Sequence, residues 1–414
     1  MVGEPPLQSK TLIKIWPFVW LSLSLLIPSL GVIQKYFGIS GIVVYLLVVP
    51  AAIFLCLWIF LPFFVTRISE TQAFWLTLVF LACLVGIFLV VFPIADVHIP
   101  GKGSDSDDGL NLAVRELLNF RYPYHVRAYL GNPISELPGA ILLSLPFVIM
   151  GDSAYQNIFW IFLFSIFLKS YLKTWRLVLP LLLLVFSLSP VVLQQLVTGG
   201  PLLANEIFIM LSIFLIASQL SGAHNSVIAK FGSAVFLGIA MSSRLNFVLV
   251  GPLLLSYLVQ NADWKQTVKY LLLSVAAWAV VTLPFYFYAP ESFTPFRVQT
   301  GHASHNILPF STLLLPLAGG IVSVVLAMRR MKPDCEALFG YSALVQGILV
   351  TAVIILASLA KGEIDFAPSR YGLFFLFLGS VPCWRALTRN YKHRLIKPHL
   401  SNGNRCSRLL KSSK

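Results

Sequence analysis

The sequence predicts an all-α fold, a polytopic transmembrane bundle with an amphipathic helix in an outer-face loop, and three observations predict it. Of its 414 residues, 57% are hydrophobic and 11% charged, with a mean hydropathy of +0.83. A soluble domain carries about 25% charged residues, so a water-soluble globular protein is excluded. Apolar runs of membrane-crossing length recur along the chain, since about 20 residues span roughly 30 Å of hydrocarbon. The basic residues between those runs fall on one side when the runs alternate in direction.

Cutting at charges and Gly/Pro/Asn clusters leaves apolar runs at 15–33, 41–65, 73–95, 155–168, 177–191, 202–220, 228–241, 245–259, 268–288, 307–328, 338–360 and 371–387. The count is about 12–13 spans, because the short run 139–150 reads either as a crossing or as a re-entrant half-helix. A break near Pro190 or Pro201 would restore parity. Arg67, Lys169, Lys173, Arg176, Lys230, Lys265, Lys269, Arg329, Arg330 and Lys332 all face the cytoplasm if 96–138 lies outside. The first run follows Lys10 and Lys14 without a small-residue cleavage site, which predicts a signal anchor and a cytoplasmic N-terminus. The organisation is therefore a three-helix membrane segment at 1–95, an external loop at 96–138, a transmembrane core at 139–388 and a basic cytoplasmic tail at 389–414.

The net charge of +14 is largely that tail: nine of the 30 basic residues follow Trp384, and no acid follows Asp365. It reads as a positive-inside anchor on anionic lipid. Without an aromatic stacking platform, no nucleic-acid partner is predicted. Cys56, Cys83, Cys335, Cys383 and Cys406 form no CxxC pair and fit neither a disulfide framework nor a metal knuckle.

The loop 101–140 carries most of the chemistry. Leu110, Ala113, Val114, Leu117 and Leu118 recur at helical spacing, predicting an interfacial helix over 108–119. Asp105, Asp107 and Asp108 cluster at its start. One acid suffices to cap a helix, so the three either include at least one for catalysis or only cap the helix and solvate the loop. Arg121, His125 and Arg127 surround the turn Tyr122-Pro123-Tyr124; they either bind an anion or anchor at the headgroups. Two further outer segments follow. In one, Asn205 and Glu206 open a helix, where Glu206 either complements the dipole or supplies a second acid. In the other, 289–306, stand His302, His305 and Asn306, either a functional polar set or a solvated loop; two histidines without a third ligand do not make a zinc site. Arg244, between two apolar runs, is either an intramembrane functional cation or one that snorkels to the outer interface.

The order acidic cluster, LNLAVRELL, NFRYPY and a Gly/Pro-rich entry into FVIMGDSAYQNIFW resembles the first external loop of the GT-C superfamily of polytopic glycosyltransferases. In those enzymes an Asp is followed by LL-x-G-x-x-PY, and polyprenyl-phosphate sugars are donors. Here Asn119-Phe120 stands where the pattern has its Gly, and three apolar runs precede the loop where most members have one. The resemblance implies an inverting hexosyl or pentosyl transfer, mannosyltransferase-like, to a hydroxyl of a lipid, glycan or protein acceptor at the outer face of a bacterial plasma membrane. It implies a loop Asp (Asp107, Asp108 or Asp105) as base, and Arg121, His125, Arg127, Arg244, His302, His305 and Asn306 around the leaving phosphate. A divalent cation at the acids is left open. The competing function classes are a secondary transporter, which would place its charged sites at the midplane between paired repeats, and a lipid-linked glycan ligase or polymerase.

Overall fold

The computed structural model describes residues 7–97, 104–222, 226–296 and 311–396. Among them the architecture is helical throughout, an all-α bundle. The helices are α1 Leu7–Leu26, α2 Leu30–Leu55, α3 Leu61–Arg67, α4 Glu70–Ala95, α5 Asp108–Leu118, α6 Pro138–Ile149, α7 Tyr155–Leu172 and α8 Trp175–Leu188. They continue as α9 Pro190–Val197, α10 Pro201–Ser221, α11 Val227–Met241, α12 Gly251–Asn261, α13 Trp264–Tyr288, α14 Ser311–Ala327, α15 Glu336–Lys361 and α16 Leu373–Ile396. Among the described residues five helical stretches are long and apolar enough to cross a membrane, or six if the bent pair α8–α9 is one span. That is fewer than the 12–13 expected, because several apolar runs fold as helices shorter than a full span, among them Val227–Met241 and Leu245–Asn261.

One of the five, Ile15–Arg67, is itself folded back. Gly38 lies at φ 64°, ψ −164°, a region open only to glycine, and the Tyr45 hydroxyl donates to Leu25 O at 3.2 Å. The α8–α9 pair bends by 82° at Ser189, ahead of Pro190, which cannot donate to the preceding turn. The polar groups at this break are used within the protein: Tyr45 Oη donates to Leu188 O at 2.5 Å and Ser189 Oγ to Leu25 O at 3.1 Å.

Side-chain contacts define two ends of the bundle. At one, Glu70 at the start of α4 accepts from Lys169 Nζ, from Thr174 Oγ1 at 2.6 Å and from Trp175 N at 2.9 Å, tying together α4, α7 and α8. Trp384 Nε1 donates to Leu177 O at 2.9 Å, and Glu336 pairs with Arg385 and Arg389. This is the basic end, where the cluster Lys169, Lys173 and Arg176 lies. The opposite, acid end gathers the close of α4, α11 and α13 with the start of α7 and α10.

Helix α6 settles the ambiguous run 139–150. It starts where Gly139 N donates to Ser242 O at 2.8 Å and ends three residues before Asp152, which shares Asn111 with Asp107. Both ends lie at the acid end, so α6 is not a crossing. It packs instead against α5 around a second, smaller core of Leu110, Ala113, Val114, Tyr124, Ile134, Leu137, Ala140, Ile141, Val148 and Phe293. Leu110, Ala113 and Val114 belong to the face that the helical spacing predicted, and full burial of a residue such as Leu110 is worth about 1.5–3 kcal/mol.

The α6–α11 approach requires glycine. A Cβ on Gly139 would stand 2.1 Å from Ile239 O and 2.7 Å from Ser242 O, both backbone atoms, whereas one on Gly232 would meet nothing within 4 Å. Gly139→Ala is therefore expected to lower stability in detergent by at least about 1–3 kcal/mol. Gly232→Ala should be neutral or stabilising by about 0.5–1 kcal/mol. Paired thermal-melting curves check the contrast; equal melting of the two variants would refute the packing of α6 on α11.

Candidate functional site

The α5–α6 core holds Asp107 at the acid end, and the bundle brings Asp96 and Asp152 to it. Asp96 closes α4, Asp107 immediately precedes α5, and Asp152 precedes α7. One carboxylate oxygen from each lies within 4.8 Å of the others. Asn111, one turn along α5, organises the group: its Nδ2 donates to Asp107 Oδ2 at 2.9 Å and to Asp152 Oδ2 at 3.0 Å. The amide orientation is fixed because Asn111 Oδ1 accepts from Ser153 N at 2.8 Å, which leaves the NH2 facing the acids. Asp152 Oδ1 also takes the Ala154 N–H at 2.7 Å, at a helix start that favours negative charge.

Asp107 is buried, 1% exposed, and its Oδ1 has no hydrogen-bond partner. Burial, then the Asp152 and Asp96 charges, push its carboxyl up to about 8. Gly199, at φ 66°, presses on it from the α9–α10 turn: a Cβ there would come within 3.0 Å of Asp107 Cβ and 2.7 Å of Ala154 Cβ. The cap expected of an acid here is not made, since Asp107 forms no side-chain cap hydrogen bond to α5. Its carboxylate is instead turned to Asn111. Asp105 and Asp108 leave the group: Asp105 Oδ2 accepts from Asn132 Nδ2 at 2.8 Å and Asp108 Oδ2 from Tyr129 N at 3.2 Å, both holding the loop turn around 127–133.

A second buried cluster adjoins the first. Arg244 Nη2 pairs with Glu136 Oε1 at 2.9 Å, both side chains largely out of solvent. Glu136 also accepts from Ser135 N and Oγ, each at 3.1 Å. Asn205, with its amide turned so that it donates to Pro201 O at 3.2 Å, accepts from Arg244 Nε at 3.2 Å. Glu206 is buried beside Arg244 with one oxygen, Oε2, unpartnered. It stands beyond the first turn of α10, so of its two readings the dipole role fails; the Arg244 charge is near enough to act on it. A Cβ on Gly109 would lie 3.4 Å from Glu136 Oε2, and Gly109 is two residues from Asp107, which joins the clusters through one turn of α5.

The expected phosphate-binding set is not assembled around Asp107 by the described residues. Arg121 pairs with Glu116 at 2.7 Å and is mostly exposed, at the far end of a helix about 16 Å long. Arg127 Nη1 donates to Gly131 O at 3.0 Å, and the His125 ring stacks edge-on against Tyr122 at 4.9 Å. Among the described residues, Arg244 alone of the expected cations reaches the site. His302, His305 and Asn306 lie outside the described residues. The sequence singled out neither Asp96, Asn111, Glu136 nor Asp152; the signal for Asp152 was the Gly151-Asp152-Ser153 stop after the short run.

Among the described residues, the two adjoining clusters gather five carboxyl groups (Asp96, Asp107, Glu136, Asp152, Glu206) and one guanidinium, which Glu136 pairs. Such a site holds protons, or a hard cation, for which the oxygens of Asp96, Asp107 and Asp152 are the suitable ligand type; bound there, a cation would supply positive charge for a phosphate.

Because the folded state raises Asp107 to about 8 from an unfolded value of about 3.9, the native state binds more protons than the unfolded chain between those values. Stability contributed by this group is thus present below about pH 4 and lost as pH rises to about 8. Asp107→Asn, which resembles the protonated form, is expected to flatten that fall in melting temperature between pH 5 and 8, on the order of the window set by the shift. An unchanged slope in the variant would show that another group titrates. In comparisons with protein-family models, curated proteins and solved structures, nothing matches the chain.

Proposed function

We propose that the protein is a multi-pass membrane glycosyltransferase that moves a sugar from a polyprenyl-phosphate donor to an acceptor hydroxyl at its acid end, with Asp107 as general base. One observation carries the reading: Asp107 is a buried carboxyl with one partnerless oxygen and a proton affinity near neutrality, held rigidly by Asn111 and the α9–α10 turn. A general base is most effective when its pKa lies near the working pH. In the reaction, Asp107 Oδ1 takes the acceptor O–H proton and the acceptor oxygen bonds to the anomeric carbon. The bond to the phosphate oxygen breaks with its electron pair leaving on the polyprenyl phosphate, and the anomeric centre inverts. Arg244 is the cation placed to offset that charge. On this reading the acid end lies on the outer face and both termini in the cytoplasm, as the basic residues of the other end favour.

The broken α8–α9 span favours a carrier, since discontinuous helices commonly form ion sites. The hydrogen bonds that Leu188 O accepts from Tyr45 and that Ser189 donates to Leu25 O weigh against it, because the break is tied into the protein rather than offered to a substrate.

The test is transfer by the purified protein in membranes supplied with polyprenyl-phosphate hexoses and pentoses. Asp107→Asn is expected to cut kcat at least about 100-fold, while Asp105→Asn and Asp108→Asn keep most activity. The wild-type kcat/KM should rise with pH and level off above about 8, because the base must be unprotonated. Full activity in Asp107→Asn would overturn the base assignment, and substrate flux without transfer would replace the enzyme with a carrier.

A further inference from the structure

The end of α5 breaks a local rule. Arg121 N donates to Glu116 O at 2.9 Å and Phe120 N to Leu117 O at 3.0 Å, the paired bonds of a Schellman helix stop. The residue that must turn left-handed in that motif is usually glycine; here it is Phe120, at φ 55°. The bulky side chain pays for this strain with no contact inside the described residues: Phe120 is 99% exposed. An aromatic ring held outward on a strained turn points to something outside the described residues.

The surroundings say what that is. Two residues on, Tyr122 Oη donates to Phe285 O at 3.0 Å and its ring lies 5.2 Å from that of Tyr288. Both carbonyl and ring belong to the last turn of α13, one of the helices long and apolar enough to cross a membrane. Phe287 and Tyr288 on that turn are exposed, as is Leu118 beside Phe120. The turn therefore stands at the depth where a crossing helix leaves the hydrocarbon, the level at which aromatic residues settle in bilayers. Arg121 next to it, paired with Glu116 but mostly exposed, lies at headgroup height.

We propose that Phe120 is a bilayer anchor: its ring inserts at the boundary between headgroups and acyl chains, continuous with the exposed aromatic end of α13, and so fixes the height of α5 over the membrane. This holds for whatever reaction the acid end performs.

The test uses the full chain in nanodiscs of phosphatidylcholine and phosphatidylglycerol. In Phe120→Trp, the emission added over wild type is expected to lose most of its intensity when the lipids are brominated near the carbonyl end of the acyl chain, and to resist aqueous iodide. Added emission that iodide quenches and brominated lipid leaves unchanged overturns the proposal, including the case in which soluble oligosaccharide then shields it, which would make the ring a sugar platform. A second variant reads the same contact through stability. Phe120→Gly relieves the left-handed turn, so its thermal midpoint should rise in detergent; in nanodiscs that gain should shrink or reverse, because the lipid contact is gone. An equal gain in both media overturns the anchor.

Discussion

Carboxyl groups crowded out of water are the constraint on which the acid end depends. At 4.8 Å, two full negative charges repel by roughly 3 kcal/mol even at an effective dielectric of 20, and Asp96, Asp107 and Asp152 form three such pairs. Relief comes from separate sources. Asn111 gives both amide hydrogens to the group, the start of α7 offers Ala154 N–H to Asp152, and Asp107, the most deeply buried, keeps its proton up to about 8. Each source requires a particular piece of the fold. Asn111 is aimed by Ser153, which follows α6, and α6 reaches that point only because Gly139 lets it lie against the backbone of α11.

The same packing links the acids to the one buried cation among them. Glu136 precedes α6, and its carboxylate lies against Gly109 on α5 while pairing with Arg244 at the close of α11. Arg244 also donates to Asn205 on α10, and its charge acts on the buried Glu206 of the same helix. Removing one partner from a buried pair leaves an uncompensated charge and is costly, so Arg244 holds loop, α10 and α11 in register as well as offering positive charge. The acid end is thus a small unit with its own apolar core and an ionic seam, set on a bundle whose opposite end is tied by Glu70 and Glu336 to basic partners.

Much of the fold was legible because the hydrophobic pattern is local. Apolar runs predict helices wherever they occur, and 108–119 was readable as a helix because Leu110, Ala113 and Val114 repeat at its period. The break between 33 and 41 became the reversal at Gly38, and the one near Pro190 became the 82° bend. Less legible was how far each run extends as one straight helix, which depends on neighbours: α6 is as apolar as a span but turns back because both its ends are held at the acid end. The Gly expected before Arg121-Tyr122-Pro123-Tyr124 also gained a meaning only in three dimensions, where Phe120 occupies the left-handed position of a helix stop.

By itself the sequence determined that the chain is a helical membrane protein, where its charges divide, and that acids stand ahead of a surface helix. Tertiary structure decided which acids matter. Asp105, Asp107 and Asp108 are nearly equivalent as letters, yet only Asp107 faces inward, and its companions Asp96 and Asp152 come from segments 11 residues before and 45 residues after it. The reason is physical: hydropathy is a property of a residue and its near neighbours, whereas the proton affinity of a carboxyl is set by the charges and the loss of water that distant segments impose on it.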